Sequence, residues 1–191
     1  VRFLVEIILV LYLIGTTGWQ LNDFHGLWGL EVIPNYISIP LTVFACVGII
    51  NAINLIDGVD GYSSGYSIVS CILFGVMFYE LGNIRMVALA AIVAASLLPF
   101  FLHNVFGKHS KMFIGDAGTL SLGIIFSTFV ITILSANQNI EVTQDNLGLI
   151  PFTLTVLCVP VFDTLRVMSG RIARGKSPFS PDKTHLHHLF I

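Results

Sequence analysis

Charge is scarce in this chain, and the scarcity argues against a soluble fold. Only 10% of its 191 residues are charged and 55% are hydrophobic, with a mean hydropathy of +0.87, whereas soluble domains carry about 25% charge. Lys and Arg are missing altogether from stretches 17–37 and 137–146. The net charge of −2 therefore conceals a segregation of sign along the chain. Cysteine is scarce too: Cys46, Cys71 and Cys158 all lie inside apolar runs. They read as small buried hydrophobes, not as a disulfide or zinc framework. No repeat, low-complexity tract or linker divides the sequence, which reads as one domain over 1–191.

What is present is a series of apolar runs. Six approach the roughly 17 to 25 residues that cross a bilayer, at about 1–16, 38–56, 62–80, 84–103, 119–136 and 147–168. An all-α, polytopic transmembrane bundle is expected. Basic residues are retained on the cytoplasmic side. Lys108, Lys111, Arg171, Arg174, Lys176 and Lys183 place loops 104–118 and 169–191 there, and Arg2 starts there as well. Alternation puts the 57–61 turn on the same side. The 17–37 stretch, with Trp19, Trp28 and Tyr36, is long enough for a small hairpin at the outer interface, where such rings anchor among headgroups. The chain begins at Val1 without an initiator methionine and stops just after a histidine cluster. It reads as a piece of a longer protein; no small-residue cleavage site follows the first run, so that run is not a signal peptide.

Three cytoplasmic segments carry the chemistry. The first is Asn51-Ala-Ile-Asn54-Leu-Ile-Asp57-Gly58-Val59-Asp60-Gly61. Polar groups recur at every third residue, so Asn51 and Asn54 share a helix face that Asp57 and Asp60 continue into a turn. The asparagines fit either a ligand-facing strip or hydrogen bonds to neighbouring helices. The two aspartates among glycines fit a hard cation or a diphosphate, and the spacing is not that of an EF-hand. In the second, Asp116 stands at a helix entrance in Phe113-Ile-Gly-Asp116-Ala-Gly-Thr119. Asp116 or Thr119 caps that helix, or Asp116 holds Mg²⁺ while the helix N-terminus and nearby lysines attract phosphate. The third runs from Arg171 through Arg174, Lys176 and Lys183 to His185, His187 and His188. It suits a polyanion, although its basic residues also serve topology. Asp163 and Arg166, three apart, are expected to pair.

Carboxylates and cations gathered on one membrane face describe phosphoryl transfer between a soluble, charged substrate and a lipid. The strings NAINLIDGVDG, FIGDAGTLSLG and SPDKTHLHHLF, in that order and covering nearly the whole chain, resemble the polyprenyl-phosphate N-acetylhexosamine-1-phosphate transferase family. The His-x-His-His form is nearer to the WecA-type members than to MraY, whose cluster is three consecutive histidines. The resemblance implies a bacterial inner-membrane enzyme with a cytoplasmic active site. It takes Mg²⁺, or alternatively Mn²⁺, and transfers N-acetylhexosamine-1-phosphate from a UDP-sugar to undecaprenyl phosphate, releasing UMP. UDP-N-acetylhexosamine, undecaprenyl phosphate and membrane lipid are the implied partners, with a homodimer possible and no nucleic acid.

By motif, the resemblance makes Asp116 the principal Mg²⁺ ligand and places Asp57 and Asp60 near nucleotide and metal. Asn51 and Asn54 support that loop, and Asn104 matches a family asparagine. His185, His187 and His188, with Arg171 or Arg174, organise the diphosphate. The family's adjacent aspartate pair, implicated in the lipid-phosphate site, is absent from these 191 residues, so the segment alone is expected to have little or no activity. A silent homologue serving as a scaffold is the alternative, as is a transporter. The latter is disfavoured because transport carboxylates lie near the bilayer midplane, whereas Asp57, Asp60, Asp116 and Asp163 fall at or beyond the inner ends of spans.

Overall fold

The computed structural model describes residues 2–57, 61–107, 112–136 and 148–175. Among these residues seven α-helices run in order: α1 (Arg2–Thr17), α2 (Asn35–Leu55), α3 (Tyr62–Glu80), α4 (Ile84–Phe106), α5 (Gly115–Ile133), α6 (Leu149–Val156) and α7 (Cys158–Ala173). A 3-10 turn, Leu27–Gly29, sits in the α1–α2 connection. No strand occurs among the described residues beyond an isolated antiparallel bridge between Asp23 and Val32. The fold is an all-α bundle. Helices α2 to α5 are each long and apolar enough to cross a membrane, and the chain is a multi-pass membrane protein.

Two expected spans differ. Helix α1 has 16 residues, about 24 Å at 1.5 Å per residue, short of the roughly 30 Å hydrocarbon thickness. The span expected at 147–168 is a pair of helices bent by 65° at the Leu157 break. Pro160 accounts for the break, because it has no N–H to offer the carbonyl of Val156 four residues earlier. The Tyr66 hydroxyl of α3 donates to that carbonyl instead. With α6 and α7 counted as one broken span, up to five segments among the described residues, against the six expected, meet the length and apolarity needed to cross.

Packing is tightest between α3 and α4 and between α2 and α5. Four fully buried rings, Phe74, Phe78, Phe126 and Phe129, form the centre, with Phe152 of α6 edge-on to Phe74 at 5.6 Å. Lipid chains are as apolar as these rings, so the association rests on close packing and internal hydrogen bonds. Gly123 lets the backbone of α2 come close to α5: a Cβ there would stand 2.6 Å from the Cα of Ile50. The last turns of α2 are thereby drawn against the first turns of α5.

Hydrogen bonds show which helix ends meet. At one end lie the starts of α1, α3 and α5 and the end of α2, joined by Arg2–Asn54, Asn54–Asp116 and Asp57–Ser63 contacts. At the other, the expected hairpin forms over 22–33, with Phe24 N–H on Glu31 O at 2.8 Å and Ile33 N–H on Asn22 O at 2.8 Å. Trp28 at its tip is 82% exposed, in keeping with an interfacial anchor.

Candidate functional site

The site grows from the last turn of α2. Asn51 and Asn54, three apart, both leave α2 toward α1 and α5. The Asn51 amide donates to Glu6 Oε2 at 2.6 Å and to the Val47 carbonyl at 2.8 Å. Asn54 accepts from Arg2 Nη1 at 3.2 Å and donates to Asp116 Oδ1 at 3.2 Å and to Thr119 Oγ1 at 2.6 Å. Its orientation is thus fixed from both ends: the oxygen faces a cation and the nitrogen a carboxylate. Both asparagines bind neighbouring helices, and Asn54 does so by touching the candidate carboxylate itself.

Asp57 lies two residues past the end of α2 and uses both oxygens. Oδ1 accepts from Ser63 Oγ at 2.6 Å and Oδ2 from the Gly115 N–H at 2.9 Å. Neither Asp116 nor Thr119 caps α5, although their positions suggested it. No side chain caps that helix from its own N-cap position, and Asp116 falls within the first turn. A carboxylate from α2's end satisfies the first N–H instead, where a helix N-terminus favours negative charge. Gly115 makes this possible with a φ of 77°, a left-handed conformation that glycine adopts without a Cβ clash. Thr119 is buried and returns its hydroxyl to the Gly115 and Asp116 carbonyls at 3.1 and 3.3 Å.

Asp116 is left exposed, with Oδ1 taken by Asn54. Among the described residues nothing donates to its Oδ2. The pattern is uneven: Asp57 is committed to structure at both oxygens, whereas Asp116 has one oxygen available. Mg²⁺ is commonly held by one or two carboxylates with waters and substrate phosphates, not by an all-protein cage. Asp116 with Asp57 beside it fits that chemistry. No group of three or more His, Cys, Asp or Glu side chains able to hold a metal occurs among the described residues.

Asn104 acts one step away. It is fully buried in the last turn of α4, not in the loop expected there. Its Oδ1 accepts the Met112 N–H at 3.0 Å and its amide donates to the Met112 carbonyl. It grips the backbone three residues ahead of α5 and so sets where that helix starts. Asp163 and Arg166 form the expected pair at 2.8 Å. Arg171 is buried at the end of α7, where Arg174 Nε reaches the Gly170 carbonyl at 2.8 Å. Asp60, His185, His187 and His188 lie outside the described residues.

Arg2 and Glu6 were missed as site residues. Arg2 entered only as a topological signal. The overlooked sign is that Glu6 interrupts an apolar run four residues after an arginine, and an ionisable residue in such a segment is a functional candidate by default.

A family model described as glycosyl transferase family 4 matches residues 1–134, the stretch that contains α1 to α5 and every group joined to Asp116 above. The chain belongs to glycosyl transferase family 4. This family 4 chain is similar to an undecaprenyl-phosphate alpha-N-acetylglucosaminyl 1-phosphate transferase of Yersinia pestis, 31% identical over 196 residues, covering 100% of this chain and 51% of the relative. It is similar to a probable undecaprenyl-phosphate N-acetylglucosaminyl 1-phosphate transferase of Bacillus subtilis (strain 168), at 33% over 192 residues with 100% and 51% covered. The corresponding enzyme of Escherichia coli (strain K12) is 36% identical over 176 residues, 90% of this chain and 45% of the relative. The family 4 chain thus spans about half the length of the curated relatives it matches.

Proposed function

We propose that the protein transfers N-acetylhexosamine-1-phosphate from a UDP-sugar to undecaprenyl phosphate at the cytoplasmic face of the bacterial inner membrane. A lipid-phosphate oxygen attacks the β-phosphorus of the donor. The bond from that phosphorus to the oxygen bridging the two phosphates breaks, and UMP leaves. The observation that carries the reading is the exposed Asp116, one oxygen without a donor among the described residues, fixed beside Asp57 at the N-terminus of α5. The names of the relatives supply the substrate class.

Asp116 and Asp57 would hold Mg²⁺. Bound there, Mg²⁺ supplies a positive charge that screens the diphosphate and the charge developing on the leaving phosphate. The chain's own groups do the positioning. Asp57 fixes the α5 terminus, Asn54 orients Asp116, and the Arg2 guanidinium adds a cation to a surface that must receive polyphosphate. We assign Asp60 to the same loop, and Arg171 or Arg174 with His185, His187 and His188 to the donor diphosphate, on the resemblance alone. Because the relatives are about twice as long, we also propose that residues 1–191 in isolation turn over little or nothing.

The test is UMP release by the whole protein, given undecaprenyl phosphate and a panel of UDP-N-acetylhexosamines with and without Mg²⁺. Lipid- and metal-dependent release from one donor is expected. Release from no donor would refute the assignment.

A further inference from the structure

We propose that Glu6 is a positioning residue that holds the Arg2 guanidinium off the Asp116 carboxylate, and so keeps Asp116 available to a divalent cation. The inference rests on the metal-binding reading of Asp116.

Glu6 is a carboxylate inside an apolar helix, its side chain only 10% exposed. Both oxygens are used. Oε1 takes Arg2 Nε at 3.0 Å, one turn earlier on α1, and Oε2 takes the Asn51 amide at 2.6 Å. The second contact comes from α2, so Glu6 is fixed between two helices and cannot follow Arg2 if it moves. Arg2 is 39% exposed, and its Nη1 reaches Asn54 Oδ1 at 3.2 Å. One amide group then separates that guanidinium from Asp116, because the Asn54 nitrogen donates to Asp116 Oδ1 at 3.2 Å.

A guanidinium within reach of two carboxylates stays with the one whose attraction is less screened by water. Here that is Glu6, which holds Arg2 Nε through one oxygen at 3.0 Å in a partly desolvated position. Neutralising Glu6 frees Arg2 to turn toward the exposed Asp116. A cation bound there through the open oxygen would then have to displace an ion pair. Glu6 thus protects Asp116 without touching substrate or metal.

The experiment is Mn²⁺ binding to the whole protein in detergent, read by the loss of the free-ion EPR signal, with no turnover required. Wild type should bind saturably and Asp116→Asn should not. Glu6→Gln should raise the dissociation constant about tenfold. The double variant Arg2→Gln with Glu6→Gln, which restores the wild-type net charge, should return it to within about threefold. Wild-type affinity in Glu6→Gln would overturn the proposal, as would a double variant as weak as the single one. Absence of an Asp116-dependent site in wild type would overturn the metal reading itself, and this inference with it. If Glu6→Gln does not fold, Arg2→Gln decides: unchanged or tighter Mn²⁺ binding supports a restrained competitor, and markedly weaker binding overturns it.

Discussion

The two ends of α5 face the same physical problem and meet it with different chemistry. A helix terminus leaves backbone groups without intrahelical partners. At the far end, the last carbonyls are covered by the hairpin. Leu134 O accepts the N–H groups of Asn22 and Asp23 at 3.0 and 3.1 Å. His25 Nε2 meets Ile133 O at 2.8 Å, and since a carbonyl only accepts, Nε2 carries the proton. Asn22 Oδ1 completes the closure by accepting the Ala136 N–H at 2.9 Å. Those named contacts serve structure. At the near end, Asp57 takes the Gly115 N–H, and Asp116 beside it keeps an oxygen open. One end is sealed, while the other is held rigid around a group it does not consume.

The sharpest way to test that contrast is to remove the open charge. Asp116→Asn alters one exposed carboxylate, and an asparagine oxygen there can still accept from the Asn54 amide. Turnover is expected to fall by at least about a hundredfold, on the scale of losing a preorganised electrostatic group. Thermal stability in detergent should change by less than about 0.5 kcal/mol. A large loss of stability with proportionate loss of activity would show Asp116 to be structural.

Gly123→Val attacks the contact on which the near end depends. The added Cβ would sit 2.6 Å from Ile50 Cα and 3.2 Å from its carbonyl oxygen, both backbone atoms that cannot rotate away. Overpacking of this kind costs about 1–3 kcal/mol or more. Because Gly123 lies two turns along α5 from Asp116, moving the helices apart should also break the Asn54 bridge. Both unfolding temperature and UMP release should fall. The far end is joined to α5 through the hairpin, not through this contact, so the accessibility of an engineered cysteine at Trp28 should stay unchanged.

Asp57→Ala should combine the two kinds of effect, because at the near end Asp57 both seals a terminus and borders the open carboxylate. Losing a charge-assisted cap costs about 1–2 kcal/mol, and activity should drop by more than that loss of folded protein explains. Circular dichroism melts alongside UMP release separate the two contributions. Equal stability of wild type and variant would mean that the Gly115 N–H finds another partner.

The residues that were legible in the sequence are those whose local pattern carries their role. Three-residue spacing put Asn51 and Asn54 on one face, and an arginine-free stretch with tryptophans marked the hairpin. Helix–helix contacts were not legible, because they depend on tertiary approach. Nothing local says that Asp57 would cap a helix 58 residues away or that Asn104 would grip Met112. The broken span could have been read from Pro160, had the proline been weighed above the run of apolar residues. Arg2 and Glu6 became visible as site residues only once α1 was seen to pack on α2.

The smallest effect should come from the sealed end. Asn22→Ala removes the side chain that accepts the Ala136 N–H but leaves the backbone bonds from Asn22 and Asp23 to Leu134 in place. A buried polar contact of this type contributes about 1 kcal/mol, so a modest fall in unfolding temperature is expected. UMP release and its Mg²⁺ dependence should match wild type, because no hydrogen bond described at this end reaches Asp57 or Asp116. If Asn22→Ala instead shifted the Mg²⁺ dependence, α5 would be transmitting strain along its length, and its two ends would have to be treated as one coupled unit.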